Sequence, residues 1–144
     1  MTLYTLIGLP ASGKSTFAKS HPECVTICPD EIRQEFFGDA ANQSHGDLVF
    51  AVAWARINQA LAENKDVIFD ATNCQRKYRK SIFKNTPKET KHVAVVFNTP
   101  IDVCKKRNSK RNRKVPESVI ERMSAKFSKP TKEEGFDEII EINT

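Results

Sequence analysis

No stretch of the sequence approaches the roughly 18 consecutive apolar residues that a membrane-spanning helix needs, and the opening MTLYTLIGL lacks a basic leader. Neither a spanning segment nor a secretory signal is expected. Cysteine is sparse: Cys24, Cys28, Cys74 and Cys104 form no CxxC pair and no dense framework, so a disulfide-stapled secreted domain is not indicated. Reduced thiols in a cytoplasm fit better, the host cell's if the chain is viral. His21, His45 and His92 show no metal-ligand spacing and are expected to be ordinary surface or capping residues. Low-complexity tracts, linkers and repeats are missing too, and 144 residues leave room for one domain, 1–144, without a second catalytic one.

The apolar fraction of 39% and charged fraction of 28% are those of an ordinary globular chain. A net charge of +5 favours a polyanionic partner only weakly, since surplus lysine also serves solubility. Placement says more: Lys105, Lys106, Arg107, Lys110, Arg111, Arg113 and Lys114 form a basic run, whereas Glu133 to Glu141 is acidic.

Strand and helix signals alternate from end to end, which predicts an α/β fold with a mainly parallel five-stranded sheet and helices on both faces. Strands are expected at Leu3–Gly8, Cys24–Cys28, Val67–Asp70, His92–Phe97 and, as an edge, Glu138–Ile142. Helices are expected from Gly13 to before Pro22, from Pro29, over Gln75–Lys84, over Ile101–Ser109 and over Pro116–Phe127. Ser44 with Asp47 resembles a capping box ahead of a helix whose stripe is Val49, Val52, Ala53, Ile57, Ala60 and Leu61, closed by Asn64. Trp54 reads as core.

Between the first strand and helix lies GLPASGKST, Gly8 to Thr16, in which Gly8, Gly13, Lys14 and Ser15 satisfy G-x-x-x-x-G-K-S/T. The glycines let successive N–H groups turn inward toward phosphate oxygens, and the helix adds its positive end. Lys14 supplies a point charge for the β- and γ-phosphates, and the Ser15 hydroxyl suits Mg²⁺. The nucleotide-binding set is thus Gly8, Leu9, Pro10, Ala11, Ser12, Gly13, Lys14, Ser15 and Thr16, with ATP and Mg²⁺ as expected cofactors. Asp70, closing VIFD, is placed to hold the metal or its water.

Asp30 and Arg33 lie three apart at the start of a helix beyond the second strand, on one face and at the carboxyl end of the sheet, where ligands of open α/β folds bind. Aspartate can orient a hydroxyl and accept its proton, and arginine can clamp a phosphoryl group. A plain i,i+3 ion pair is the alternative. The basic run suits a lid that closes over ATP and excludes water, with Arg111 on the transferring phosphate and Arg107 on the adenine side.

Together GLPASGKSTFA, PDEIRQ, FDATN and KKRNSKRNRKVPESVIERM resemble the 5′-hydroxyl polynucleotide kinases, especially the kinase domain of phage-type enzymes, over essentially the full chain. The resemblance implies a P-loop kinase fold with a basic lid and ATP-dependent phosphorylation of a 5′-OH end of DNA or RNA in end repair. It also implies Asp30 as general base, Arg33 clamping the acceptor side, Lys14 and Ser15 in the P-loop, and Arg111 on the transferring phosphate. Asp70 fits the D-x-T-N form of some members rather than the phage-type position. The DxDGT-type nucleophile of a 3′-phosphatase does not occur in the sequence, so a kinase-only chain is expected, working alone or beside a separate phosphatase or ligase. A small-molecule or tRNA-linked hydroxyl is the alternative acceptor, and an ATPase switch module the alternative class.

Overall fold

The runs LYTLI, VIF and HVAVVF are apolar at successive positions, as strands covered on both faces must be. In the computed structural model, which describes residues 1–143, they form the centre of a sheet. The elements are β1 (Thr2–Ile7), α1 (Lys14–Lys19), β2 (Val25–Ile27), α2 (Pro29–Phe37), α3 (Gly46–Ala62), β3 (Val67–Phe69), α4 (Arg76–Lys84), β4 (Lys91–Asn98), α5 (Ile101–Ser109), α6 (Glu117–Ala125) and β5 (Glu138–Asn143). Strand order is β2-β3-β1-β4-β5 and every pairing is parallel. This is an α/β P-loop kinase-like fold.

Alternation of side chains along β1 divides the core between the two faces. Leu3 packs with Val67, Phe69 and Ile27 against Val49, Ala53, Ile57 and Leu61 of α3, while Leu6 packs with Ile68, Val93, Val95 and Phe97 against Ala18 of α1. Burial of each large apolar side chain stabilises by roughly 1.5–3 kcal/mol. Ile82 and Phe83 bring α4 onto the α3 face. A smaller cluster of Leu9, Cys74, Cys104 and Ile120 seats α5 and α6 beside the carboxyl ends of the strands. Trp54 packs on the core with its ring 5.2 Å from that of Phe69.

The predicted elements are all present, with shifted ends, and β5 lies at an edge. A short 3₁₀ turn at Lys132–Glu134, closed by a capping box from Thr131, was not anticipated. Two expectations need correction. The Ser44 capping box does not form: His45 occupies the cap position of α3 without a side-chain cap bond, and the Ser44 hydroxyl donates to Asn42 instead. An Asx-type bond within the loop satisfies Ser44 locally and wins over the helix end. His92 is neither a surface nor a capping residue but buried in β4, its ring 4.7 Å from Phe83. Burial accordingly pushes its imidazole below the ordinary histidine value. Asn64, by contrast, follows α3 with a left-handed φ of 59°, the conformation by which asparagine ends helices.

Because β3 and β4 flank β1, the chain leaving β1 toward α1 emerges beside the loop that follows β3. The order of the strands therefore brings the glycine-rich turn and Asp70 together.

Candidate functional site

The turn after β1 is shaped by sterics. A Cβ on Gly8 would lie 2.5 Å from Ser12 Oγ and 3.0 Å from Phe97 Cβ, so only hydrogen fits. Gly13 has φ 112°, and Ala11 is held at φ 63°, a left-handed conformation that non-glycine residues adopt at an energetic cost. Two bonds fix the loop: Ser12 N–H to the Leu9 carbonyl at 3.1 Å, and the Thr99 hydroxyl to the Ser12 carbonyl at 2.8 Å. Ser12 Oγ is buried with no hydrogen-bond partner among the described residues. The first backbone N–H of α1 to bond back is that of Phe17, onto Gly13, so those of Lys14, Ser15 and Thr16 have no partner within the helix.

Lys14 is buried, and its Nζ donates to the carbonyls of Gly8 at 3.0 Å and Leu9 at 2.7 Å. An ammonium has three donors, so one remains for another acceptor. Burial pushes Lys14 below the usual lysine value, against the pull of the Asp70 carboxylate.

Asp70 follows β3, its N–H bonded to Ile27 at 2.9 Å, and Ser15 Oγ donates to Asp70 Oδ2 at 3.1 Å. Burial raises the Asp70 carboxyl above the ordinary aspartate value, although Lys14 and Ser15 both favour its ionised form. A hydroxyl and a carboxylate this close form a hard-oxygen pair suited to Mg²⁺, and the inward-turned glycine loop suits a phosphate chain. These residues therefore fit the groups that the sequence implies.

The loop 70–73 is clamped from both sides. Gly8 N–H donates to the Thr72 carbonyl at 3.0 Å, and Asn73 Nδ2 to the Leu6 carbonyl at 2.9 Å. Behind it the fully buried Arg79 donates through Nη1 to the Asn73 carbonyl at 2.9 Å and through Nε to Glu134 at 2.8 Å. Burial pushes the Glu134 carboxyl up, but the bonds from Arg79 and from the Thr131 N–H outweigh that and hold it below the ordinary glutamate value.

Opposite the glycine loop stands the start of α2, with Cys28 at the cap position and Pro29 in the first turn. Asp30 Oδ1 accepts from Arg33 Nη1 at 2.8 Å, and Oδ2 accepts from Arg113 Nη1 at 3.3 Å. Arg33 is buried, its guanidinium 6.0 Å from the Phe50 ring, and its Nε has no partner among the described residues. The Nε of Arg113 is likewise buried without one. Burial pushes the nearby Cys28 thiol up to about 11, so it is not an ionised nucleophile at neutral pH.

One cavity of about 930 Å³ runs between these walls. It is lined by Pro10 to Thr16, Asp30, Arg33, Asp70, Arg107 and Arg111, so most of the residues expected from sequence converge on it. Leu9 does not: its side chain belongs to the apolar cluster with Cys104 and Ile120, and Gly8 contributes backbone behind the loop. Sequence reading passed over Arg113, Phe50 and Arg79. The spacing of Gln75, Arg79 and Ile82 does put Arg79 on the inner face of α4, but the cations around it hide that signal.

A family model described as an AAA domain matches residues 3–130. The chain belongs to that family. Among its relatives, this AAA domain is similar to an L-seryl-tRNA(Sec) kinase of Methanococcus maripaludis, 30% identical over 94% of the chain and 56% of that protein. It is also similar to a chain of the Pnkp1/Rnl/Hen1 RNA repair complex, with a TM-score of 0.79 and 25% identity over 87% of this chain and 43% of that one. Kti12 of Chaetomium thermophilum, solved with ADP-AlF3, matches 98% of the chain and 88% of its own at a TM-score of 0.70, and its 18% identity bears on fold alone. The chain thus spans about half the length of the first two. No helix among the described residues is long and apolar enough to cross a membrane.

Proposed function

We propose that the chain transfers the terminal phosphate of ATP to a hydroxyl group, and that this hydroxyl is the 5′ end of a DNA or RNA strand. The observation that carries the reading is the Asp30 carboxylate, gripped by Arg33 and Arg113 on the wall facing the glycine loop across one cavity. A plain triphosphatase has no need of a carboxylate and a buried arginine on the far wall. Asp30 orients the acceptor hydroxyl and takes its proton, and Arg33, which lines the same cavity, holds an acceptor-side phosphate. The loop N–H groups and Lys14 bind the donor's phosphates, and of the two arginines that line the cavity, Arg111 would meet the migrating group and Arg107 the adenine side. Ser15 and Asp70 would hold Mg²⁺, which when bound neutralises phosphate charge. Similarity to a chain of an RNA repair complex supports a nucleic-acid acceptor and a separate repair partner, a ligase or a phosphatase.

The test is end-labelling: incubation with ATP and a 5′-OH oligonucleotide should yield a 5′-phosphate. Asp30→Ala should abolish that product while ATP binding persists. Absence of transfer to any DNA or RNA end would overturn the nucleic-acid acceptor. A second reading, a tRNA-linked hydroxyl, is supported by the 30% identity to the seryl-tRNA kinase. Phosphorylation of a seryl-tRNA but not of 5′-OH ends would favour it.

A further inference from the structure

The carboxyl-end cavity has a neighbour. A second depression of about 200 Å³ lies between α4 and α6, lined by Gln75, Tyr78, Arg122 and Lys126, and it shares Thr72 and Met123 with the large cavity. The two are therefore contiguous, meeting at the loop that carries Asp70. Around the smaller one the surface is basic. Helix α4 reads RKYRKSIFK, five cations and no acid, and apart from Arg79 none of its cations, nor Arg122 of α6 or Lys126 just after it, makes an ion pair among the described residues. In their midst Tyr78 is 57% exposed, with the Lys77 ammonium 5.0 Å from its ring centre. A large ring kept in water among unpaired cations has no role in this core, whose own aromatic pairs lie elsewhere.

The geometry points to this α4–α6 face as a second binding surface, which takes the strand of a nucleic-acid acceptor downstream of the hydroxyl seated at Asp30. Lys77, Arg122 and Lys126 would contact backbone phosphates, and Tyr78 would stack a base, the pairing of groove charge and aromatic platform by which single strands are held without sequence preference. The surface rests on the nucleic-acid reading above, because an acceptor seated at Asp30 that also occupies this depression must run past the shared residues Thr72 and Met123.

The experiment compares the native chain with a Lys77→Gln/Arg122→Gln/Lys126→Gln variant and with Tyr78→Ala, using a 5′-OH 12-mer and a 5′-OH dinucleotide in DNA and RNA forms. All four positions are exposed, so thermal melts should match the native chain. For the 12-mer, the triple variant should raise KM about ten-fold, and the salt slope of its binding, read by fluorescence anisotropy, should fall by about 2, at about 0.7 per single-strand phosphate contact. Tyr78→Ala should weaken 12-mer binding about five-fold or more. The KM for the dinucleotide should not move. Unchanged 12-mer affinity in both variants would overturn the surface, as would no 12-mer binding by the native chain. If the native chain binds the 12-mer without phosphorylating it, and the variants bind it more weakly, the surface stands and the 5′-kinase reading falls.

Discussion

Arg113 and Asp30 lie eighty-three residues apart in sequence and meet at 3.3 Å, tying the segment between α5 and α6 to the start of α2. Both are partly exposed, so the pair contributes little to global stability, within the roughly 0.2–1 kcal/mol of exposed ion pairs. Its effect is local. Arg113→Ala should leave the melting temperature nearly unchanged but speed amide hydrogen exchange over 110–115 by up to about five-fold, with α1 unaffected. Equal exchange in variant and native chain would show that the contact does not restrain this segment.

The Arg79–Glu134 pair is of the opposite kind, because its two side chains are 0% and 4% exposed. Removing one partner strands the other's charge in the interior, at about 3–5 kcal/mol. Glu134→Ala should therefore lower the urea midpoint strongly. Arg79 also holds the Asn73 carbonyl, so the loop carrying Asp70 should loosen as well, and activity should fall further than the loss of folded protein explains. Full activity per folded molecule would separate the pair from the site.

The contrast between these two pairs marks what the sequence made legible. Glycine spacing and the strand ending in Asp70 are local signals, and both led to the cavity. The sheet followed from alternating apolar runs, down to the edge position of β5. Arg79 and Arg113 are set by tertiary placement: each sits in a run of like cations whose members are indistinguishable until the chain folds around one of them. Ser44 failed for a related reason, since its cap competes with an equally local bond to Asn42 that only the loop conformation decides.

Gly8 offers a steric test of the phosphate loop. The methyl group of Gly8→Ala would meet Ser12 Oγ and Phe97 Cβ inside contact distance, so the loop must shift. Because Lys14 is anchored on the Gly8 carbonyl, that shift displaces the ammonium too. ATP affinity, read by calorimetry, should drop at least about ten-fold while circular dichroism stays native-like, a loss of about 1.4 kcal/mol or more in binding. Unaltered affinity would mean that nucleotide does not approach this turn.

Asp70 gives the prediction in which stability and activity move in opposite directions. Burial raises its carboxyl above the ordinary value, so the folded chain holds a proton there more tightly than the unfolded chain does. Stability from this group is then greatest at low pH and falls as pH rises from the ordinary aspartate value of 3.8 through the raised one. Asp70→Asn keeps an acceptor for the Ser15 hydroxyl and removes the ionisation. Without added nucleotide or metal, the variant should melt above the native chain at pH 7, and the gap should narrow as pH falls toward 3.8. Turnover with Mg²⁺ should fall by about 10²-fold or more, since a charged ligand to the cation is lost. A melting gap independent of pH would show that the Asp70 charge is not what burial opposes, and unchanged turnover would remove it from the metal site.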